Sequence, residues 1–309
     1  MAAPLLVIDH LRVDFPGVVA VNDLSLTVEA GDLCGLIGPN GAGKTTTMRA
    51  ISGLQECTRG SVWVGGHELA REPVTLRRHL GYMPDFCPVY DQLTAAEFLE
   101  HFARAHAVPD RERRIGECLE LTWLTEKRDA LCEELSRGMR QRLVLAKTLL
   151  PDPEVLLLDE PASGLDPLGR IELWKILRQL REAGKAVLIS SHILAELAMF
   201  CNKAAIMERG RLVTAGSIAD LGRQLTRRRR AVQWHGEAAK PVQTLGGAAG
   251  VANLVVEGTG ATFDFAGPPE ALADLLRTLV TEGVPVAEWR SDGDELEQIF
   301  LQSGARQPT

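Results

Sequence analysis

A glycine loop, two adjacent acids and a histidine are the residues best suited to chemistry. Gly38-Pro39-Asn40-Gly41-Ala42-Gly43-Lys44-Thr45 fits G-x-x-x-x-G-K-[ST]. Its glycines let main-chain amides curl around phosphate oxygens, and a helix starting after the loop presents its positive end to them. Lys44 then reaches the β and γ phosphates as a compact charge, while the Thr45 hydroxyl is offered to Mg²⁺. Leu156-Leu157-Leu158-Asp159-Glu160 ends an apolar strand in two carboxylates. Ligands of open α/β sheets sit at the carboxyl edge of the strands, so the pair faces the phosphates, Asp159 holding Mg²⁺ and Glu160 polarising the attacking water. The competing reading is a strand end with solvated acids. His192 follows the apolar run Ala186 to Ser191, and the same edge rule brings it toward the γ-phosphate, although a lone histidine also serves structural roles. Ser136 opens a helix and is an N-cap with or without an anion.

Positioning these groups takes a strand, a loop and a helix in that order. Leu33-Cys34-Gly35-Leu36-Ile37 is a short buried strand entering the loop, and Met48, Ile51 and Leu54 recur at helical spacing beyond it. Leu24, Leu26 and Val28 alternate with polar neighbours, so residues 5–30 read as a half-exposed β layer. Ser61 to Val64 and Leu80 to Met83 read as further strands. A helical subdomain is expected over about 88–153: Thr94 and Glu97 form a capping box, and a helix from Ser136 through Leu149 stops at Pro151 and Pro153. The uninterrupted runs Val155 to Leu158 and Ala186 to Ile189 suit parallel strands buried on both faces, with an amphipathic helix between them. The expected class is α/β, a doubly wound P-loop NTPase sheet with an antiparallel β layer.

The texture changes near residue 222, giving an expected larger domain at 1–221 that carries the glycine loop and a small α+β accessory domain at 222–309. The latter offers strands at Ala231 to Trp234, Leu254 to Glu257, Thr262 to Phe265 and Pro285 to Trp289, a helix at Pro269 to Thr281, and a closing helix near 294–302. The basic run Arg227 to Arg230 reads as a solvated face or linker, with acidic lipid headgroups as the other reading.

The 309 residues are 45% hydrophobic and 24% charged, which excludes disorder. With 41 acidic against 34 basic side chains the net charge is -7, so no global positive field gathers nucleic acid. Six scattered cysteines without a C-x-x-C pair fit a reducing compartment. No apolar run is long enough to cross a bilayer, so any membrane is spanned by another chain.

In order along the chain, GPNGAGKT, LSRGMRQR, VLLLDEP, SGLD and SSH resemble the Walker A loop, signature, Walker B strand, D-loop and switch histidine of the ATP-binding subunits of ABC transporters. The resemblance covers about residues 5–220. It implies an ATPase using ATP and Mg²⁺, with Lys44, Glu160 and His192 catalytic. Gly38, Pro39, Asn40, Gly41, Ala42, Gly43, Lys44, Thr45 and Thr46 would surround the phosphates. Phe15, 29 residues before Lys44, falls where the family places an aromatic that stacks on adenine, with core packing as the alternative. Two subunits would sandwich two ATPs, Ser136, Gly138 and Asp166 belonging to the shared sites, so a lone subunit hydrolyses poorly.

The chain departs from the family pattern at three places. Asp85 stands where most members have glutamine; it accepts hydrogen bonds at neutral pH without donating, and still suits Mg²⁺ or its water. Arg137 and Met139 replace a glycine and a glutamine of the signature, removing a polar contact to the opposite nucleotide. Gly81 to Asp91, ASGLDP and the closing Leu296 to Leu301 are similar to ATPases of bacterial exporters with separate membrane subunits. That similarity implies a polytopic permease partner touching residues 86–99, a second ATPase subunit in a homodimer, and a peripheral place on the cytoplasmic face of the cell membrane. The alternative is a soluble ABC-type ATPase acting on RNA, ribosomes or DNA. One compact motif set and a negative net charge fit it less well. A small-acceptor kinase has no use for the signature helix.

Overall fold

A computed structural model describes residues 4–192, 197, 200–221, 229–237, 239–265 and 267–291. Contacts divide the chain into two units, Met1–Gly216 and Ser217–Thr309.

The first unit holds two sheets. In the antiparallel one the order is β2-β1-β4-β5, with β1 Leu6–Phe15, β2 Val18–Val28, β4 Arg59–Val64 and β5 His67–Glu68. Leu24, Leu26 and Val28 of β2 turn inward as their alternation requires, onto Leu6, Ile8, Leu11 and Val13 of β1. The six-stranded sheet runs β10-β9-β3-β8-β7-β6, built from β3 Leu33–Ile37, β6 Leu80–Met83, β7 Val155–Leu158, β8 Ala186–Ser191, β9 Lys203–Glu208 and β10 Arg211–Ser217. β9, β3, β8, β7 and β6 pair in parallel. Every residue of β3, β7 and β8 is buried, which explains why these strands are apolar without alternation. Their register aligns Ile37 with Ser191, Ile189 with Leu158 and Leu158 with Met83, so all four strands end along one rim.

Helices complete the unit: α1 Lys44–Ile51, α2 Pro73–His79, α3 Ala95–Ala105, α4 Arg111–Leu121, α5 Arg137–Leu149 and α6 Pro167–Glu182. The Thr94 capping box on α3 is complete, with side chain and backbone satisfied reciprocally. Arg114 of α4 donates to the carbonyls of Leu149 (2.6 Å) and Leu150 (3.2 Å) at the end of α5, where carbonyls lack intrahelical partners. One expectation fails locally. Leu54 is exposed and off α1, because Gly53 takes a left-handed φ of 69° and ends the helix. Pro73 begins α2 at its first turn, where its missing N–H leaves no bond unmade.

The second unit is a β-α-β-β-α-β arrangement: β11 Arg229–Trp234, α7 Ala239–Gly247, β12 Val251–Glu257, β13 Gly260–Phe265, α8 Pro269–Thr281 and β14 Val286–Ser291. The antiparallel order β12-β13-β11-β14 is that of ferredoxin-like folds. Leu245 of α7 and Leu275 and Leu279 of α8 share a core with Val232, Trp234 and Phe263. Strand β11 starts inside the basic run: Arg229 and Arg230 pair with Asp264 and Phe263, so that part of the run is sheet and not linker. Arg227, Arg228 and the helix expected near 294–302 lie outside the described residues.

Candidate functional site

The glycine loop leaves β3 and enters α1 with Gly43 at φ 103°, a conformation L side chains rarely adopt. At Gly38 a Cβ would overlap the Met207 carbonyl of β9. These contacts bring the loop against the sheet, so that its outer arc, Asn40 to Thr46, lines an open cleft of about 620 Å³ with Asp85, Glu160, Ser163 and His192. Residues from the ends of β3, β6, β7 and β8 thus meet at one rim, as the register requires.

Lys44 is buried, and its Nζ donates to the carbonyl oxygens of Gly38 (2.7 Å) and Pro39 (3.3 Å). Those two loop residues hold the lysine from beneath and do not line the cleft themselves. Nζ also lies 3.7 Å from Glu160 Oε1. Burial pulls the Lys44 pKa below its ordinary value, and Glu160 and Asp159 offset part of that shift.

Asp159 is fully buried at the end of β7. Its Oδ1 accepts from Ser190 Oγ at 2.6 Å, whereas Oδ2 has no hydrogen-bond partner. Such an orphaned acceptor is costly unless something satisfies it. Glu160 follows with φ 46°, a left-handed conformation for a non-glycine residue. Its amide donates to Ser190 Oγ (2.9 Å), and its Oε2 lies 2.9 Å from His192 Nδ1. Ser190 therefore bridges the two acids, and His192 fixes one face of the outer carboxylate.

Asp85 and Thr45 bring a carboxylate and a hydroxyl to the cleft, whereas Asp159 is buried and does not line it; together their oxygens are a set suited to a hard divalent cation. The unpartnered Asp159 Oδ2 fits Mg²⁺ as a ligand or as an acceptor from its water. Among the described residues no group of three or more His, Cys, Asp or Glu is placed to hold a metal. A cation held by these oxygens would draw its remaining ligands from water and phosphate, as Mg²⁺ usually does.

Ser136, Gly138 and Asp166 do not line the cleft. Ser136 caps α5, accepting from Met139 N at 3.2 Å, and Asp166 caps α6, accepting from Gly169 N at 2.8 Å. Phe15 sits 42% exposed at the hairpin end of β1, opposite Val18, and Val18 lines the cleft while Phe15 does not. Sequence reasoning missed Ser190, Val18 to Ala20, Arg209 and Gly210, the last five of which line the cleft. For Ser190 a signal existed: the apolar run of β8 closes on two buried serines.

A family model described as ABC transporter matches residues 21–163. The chain is 32% identical over 317 aligned positions to the Nod factor export ATP-binding protein I of Ralstonia nicotianae, covering 99% of this chain and 95% of that one. It is 40% identical over 205 residues to an uncharacterized ABC transporter ATP-binding protein, YhcH, of Bacillus subtilis, covering 66% of this chain and 67% of the relative. A solved structure titled as the ATP binding subunit of an ABC transporter superposes with a TM-score of 0.64 at 33% identity, covering 71% of this chain and 92% of that one. With the loop, the paired acids and the rim geometry, these likenesses show that the chain belongs to the ABC transporter family as an ATP-binding subunit.

Proposed function

We propose that the chain hydrolyses ATP with Mg²⁺ and thereby drives export through a separate polytopic permease, working as one of two ATPase subunits held peripherally at the inner face of the membrane. The observation that carries the hydrolytic part is the unpartnered buried Asp159 Oδ2, on a carboxylate that Ser190 joins to Glu160, whose own Oε1 lies 3.7 Å from Lys44 Nζ. Export is supported by the printed name of the Ralstonia relative, which aligns over nearly the whole chain. A membrane partner is supported by the same printed name, that of the ATP-binding protein of an exporter; among the described residues no helix is long and apolar enough to cross a bilayer. Phe86 (81% exposed) and Tyr90 (49% exposed) give such a partner an apolar contact within residues 86–99.

In this reading the loop amides and Lys44 grip the β and γ phosphates. Mg²⁺, when bound, neutralises charge on those phosphate oxygens. Asp159, Thr45 and Asp85 are the residues that would hold that cation. A triphosphate competes with Glu160 for the Lys44 ammonium, leaving the carboxylate free to accept a proton from the attacking water. His192 keeps the carboxylate aimed. Ser136, Gly138 and Asp166 serve the second nucleotide of a two-subunit sandwich.

Glu160→Gln keeps the shape of the site and removes the proton acceptor. We expect turnover to fall at least about a hundredfold while ATP still binds, and light scattering after gel filtration with ATP and Mg²⁺ to find a stable dimer. Unchanged turnover, or a monomer under those conditions, contradicts the reading.

A further inference from the structure

Two side chains on one face of α5 reach the segment that follows Glu160. Arg137 Nη2 donates to the Ser163 carbonyl at 3.3 Å, and Gln141 Nε2 donates to the Pro161 carbonyl at 3.1 Å. The two are four residues apart and therefore stand one above the other on the helix. Gly164, at φ 67°, lies under the Arg137 guanidinium so closely that a Cβ there would overlap it. Ser163 itself lines the nucleotide cleft. Beyond the segment, Leu165 approaches Gly138, and Asp166 caps α6. The arginine that replaces a small signature residue is thus a strut between α5 and the catalytic rim of its own subunit.

We infer that Arg137 and Gln141 form a two-point clasp through which the signature helix sets the position of Glu160 and Ser163 in the same subunit. Both are positioning residues, since neither lines the cleft. The clasp gives Arg137 a role that a glycine at this position lacks. Movement of α5, which Arg114 ties to α4, passes directly into the loop carrying the general base. The inference rests on the hydrolytic role proposed for Glu160.

The test compares the full-length chain with Arg137→Gly, Arg137→Lys and Gln141→Ala. Amide hydrogen exchange over residues 160–166, measured without nucleotide, reads the clasp independently of catalysis. Faster exchange is expected in Arg137→Gly and Gln141→Ala, with Arg137→Lys intermediate because an ammonium still donates one bond to Ser163. ATP turnover is expected to fall about three- to tenfold in kcat for Arg137→Gly with KM within about twofold, and to recover in part in Arg137→Lys. Wild-type exchange in both Arg137→Gly and Gln141→Ala overturns the clasp. A raised KM at constant kcat in Arg137→Gly overturns it too, since the arginine would then bind nucleotide directly. Should Arg137→Gly fail to fold, Gln141→Ala carries the same two measurements. Absence of turnover in the wild type argues against the hydrolytic reading and leaves the exchange result to decide the clasp.

Discussion

Ser190→Ala removes a single hydroxyl and exposes how the rim is assembled. That oxygen donates to Asp159 at 2.6 Å and accepts from the Glu160 amide at 2.9 Å, and the serine is fully buried. Losing a hydrogen bond to a carboxylate costs about 1.5–3 kcal/mol, and orphaning a partly buried amide adds about 1 kcal/mol. Asp159 is then left with neither oxygen bonded to a side chain, since Oδ2 already lacks a partner. A loss of about 3 kcal/mol is expected, which for a unit spanning Met1–Gly216 lowers the melting temperature by about 6–12 °C. Differential scanning calorimetry measures it. Adding Mg²⁺ and ATP should recover part of the deficit, because a cation satisfies the carboxylate that the serine abandoned. Removing the charge should also help: Ser190→Ala with Asp159→Asn is expected to cost less than the sum of the single changes by about 1 kcal/mol or more. A Ser190→Ala chain that melts within about 1 °C of the wild type, or strictly additive single and double changes, refutes the bridging role.

Further expectations follow from the same geometry. Burial depresses the Lys44 pKa, so as pH rises the ammonium is lost earlier than from an exposed lysine. Only the charged form holds phosphate, so ATP affinity measured by calorimetric titration should weaken on the alkaline side before ordinary lysines titrate; a flat profile through that range opposes this. Gly38→Ala pushes a methyl into the Met207 carbonyl, and both the melting temperature and nucleotide binding should drop. Phe15→Ala should raise KM for ATP about fivefold or more with kcat unchanged if the ring stacks on adenine, whereas a stability loss alone assigns it to packing.

Local pattern made much of this fold legible. The apolar runs of β3, β7 and β8, the glycine loop and the Thr94 capping box carry their information in adjacent residues. What escaped depends on distant register or on ambiguous residues. Ser190 reaches Asp159 only because β8 lies beside β7, a pairing across 31 positions. Val18 to Ala20, Arg209 and Gly210 enter the cleft through the folding of other strands toward the loop. Helix α2 hid behind Pro73, although a proline at the first turn with Arg77, Arg78 and His79 in the last turn is a helix signature. Helix α7 hid in a Gly/Ala-rich stretch whose Gly246 and Gly247 argue against helix until the Leu245 contact with the sheet outweighs them.

Equilibrium dialysis of labelled ATP against the purified chain, with and without Mg²⁺, decides whether this rim grips a nucleotide when wild type, Lys44→Ala and Asp159→Asn are run together. Saturable uptake by the wild type is expected, with strong loss in Lys44→Ala and loss of the Mg²⁺ dependence in Asp159→Asn. No uptake by the wild type, or equal uptake by all three, contradicts that grip.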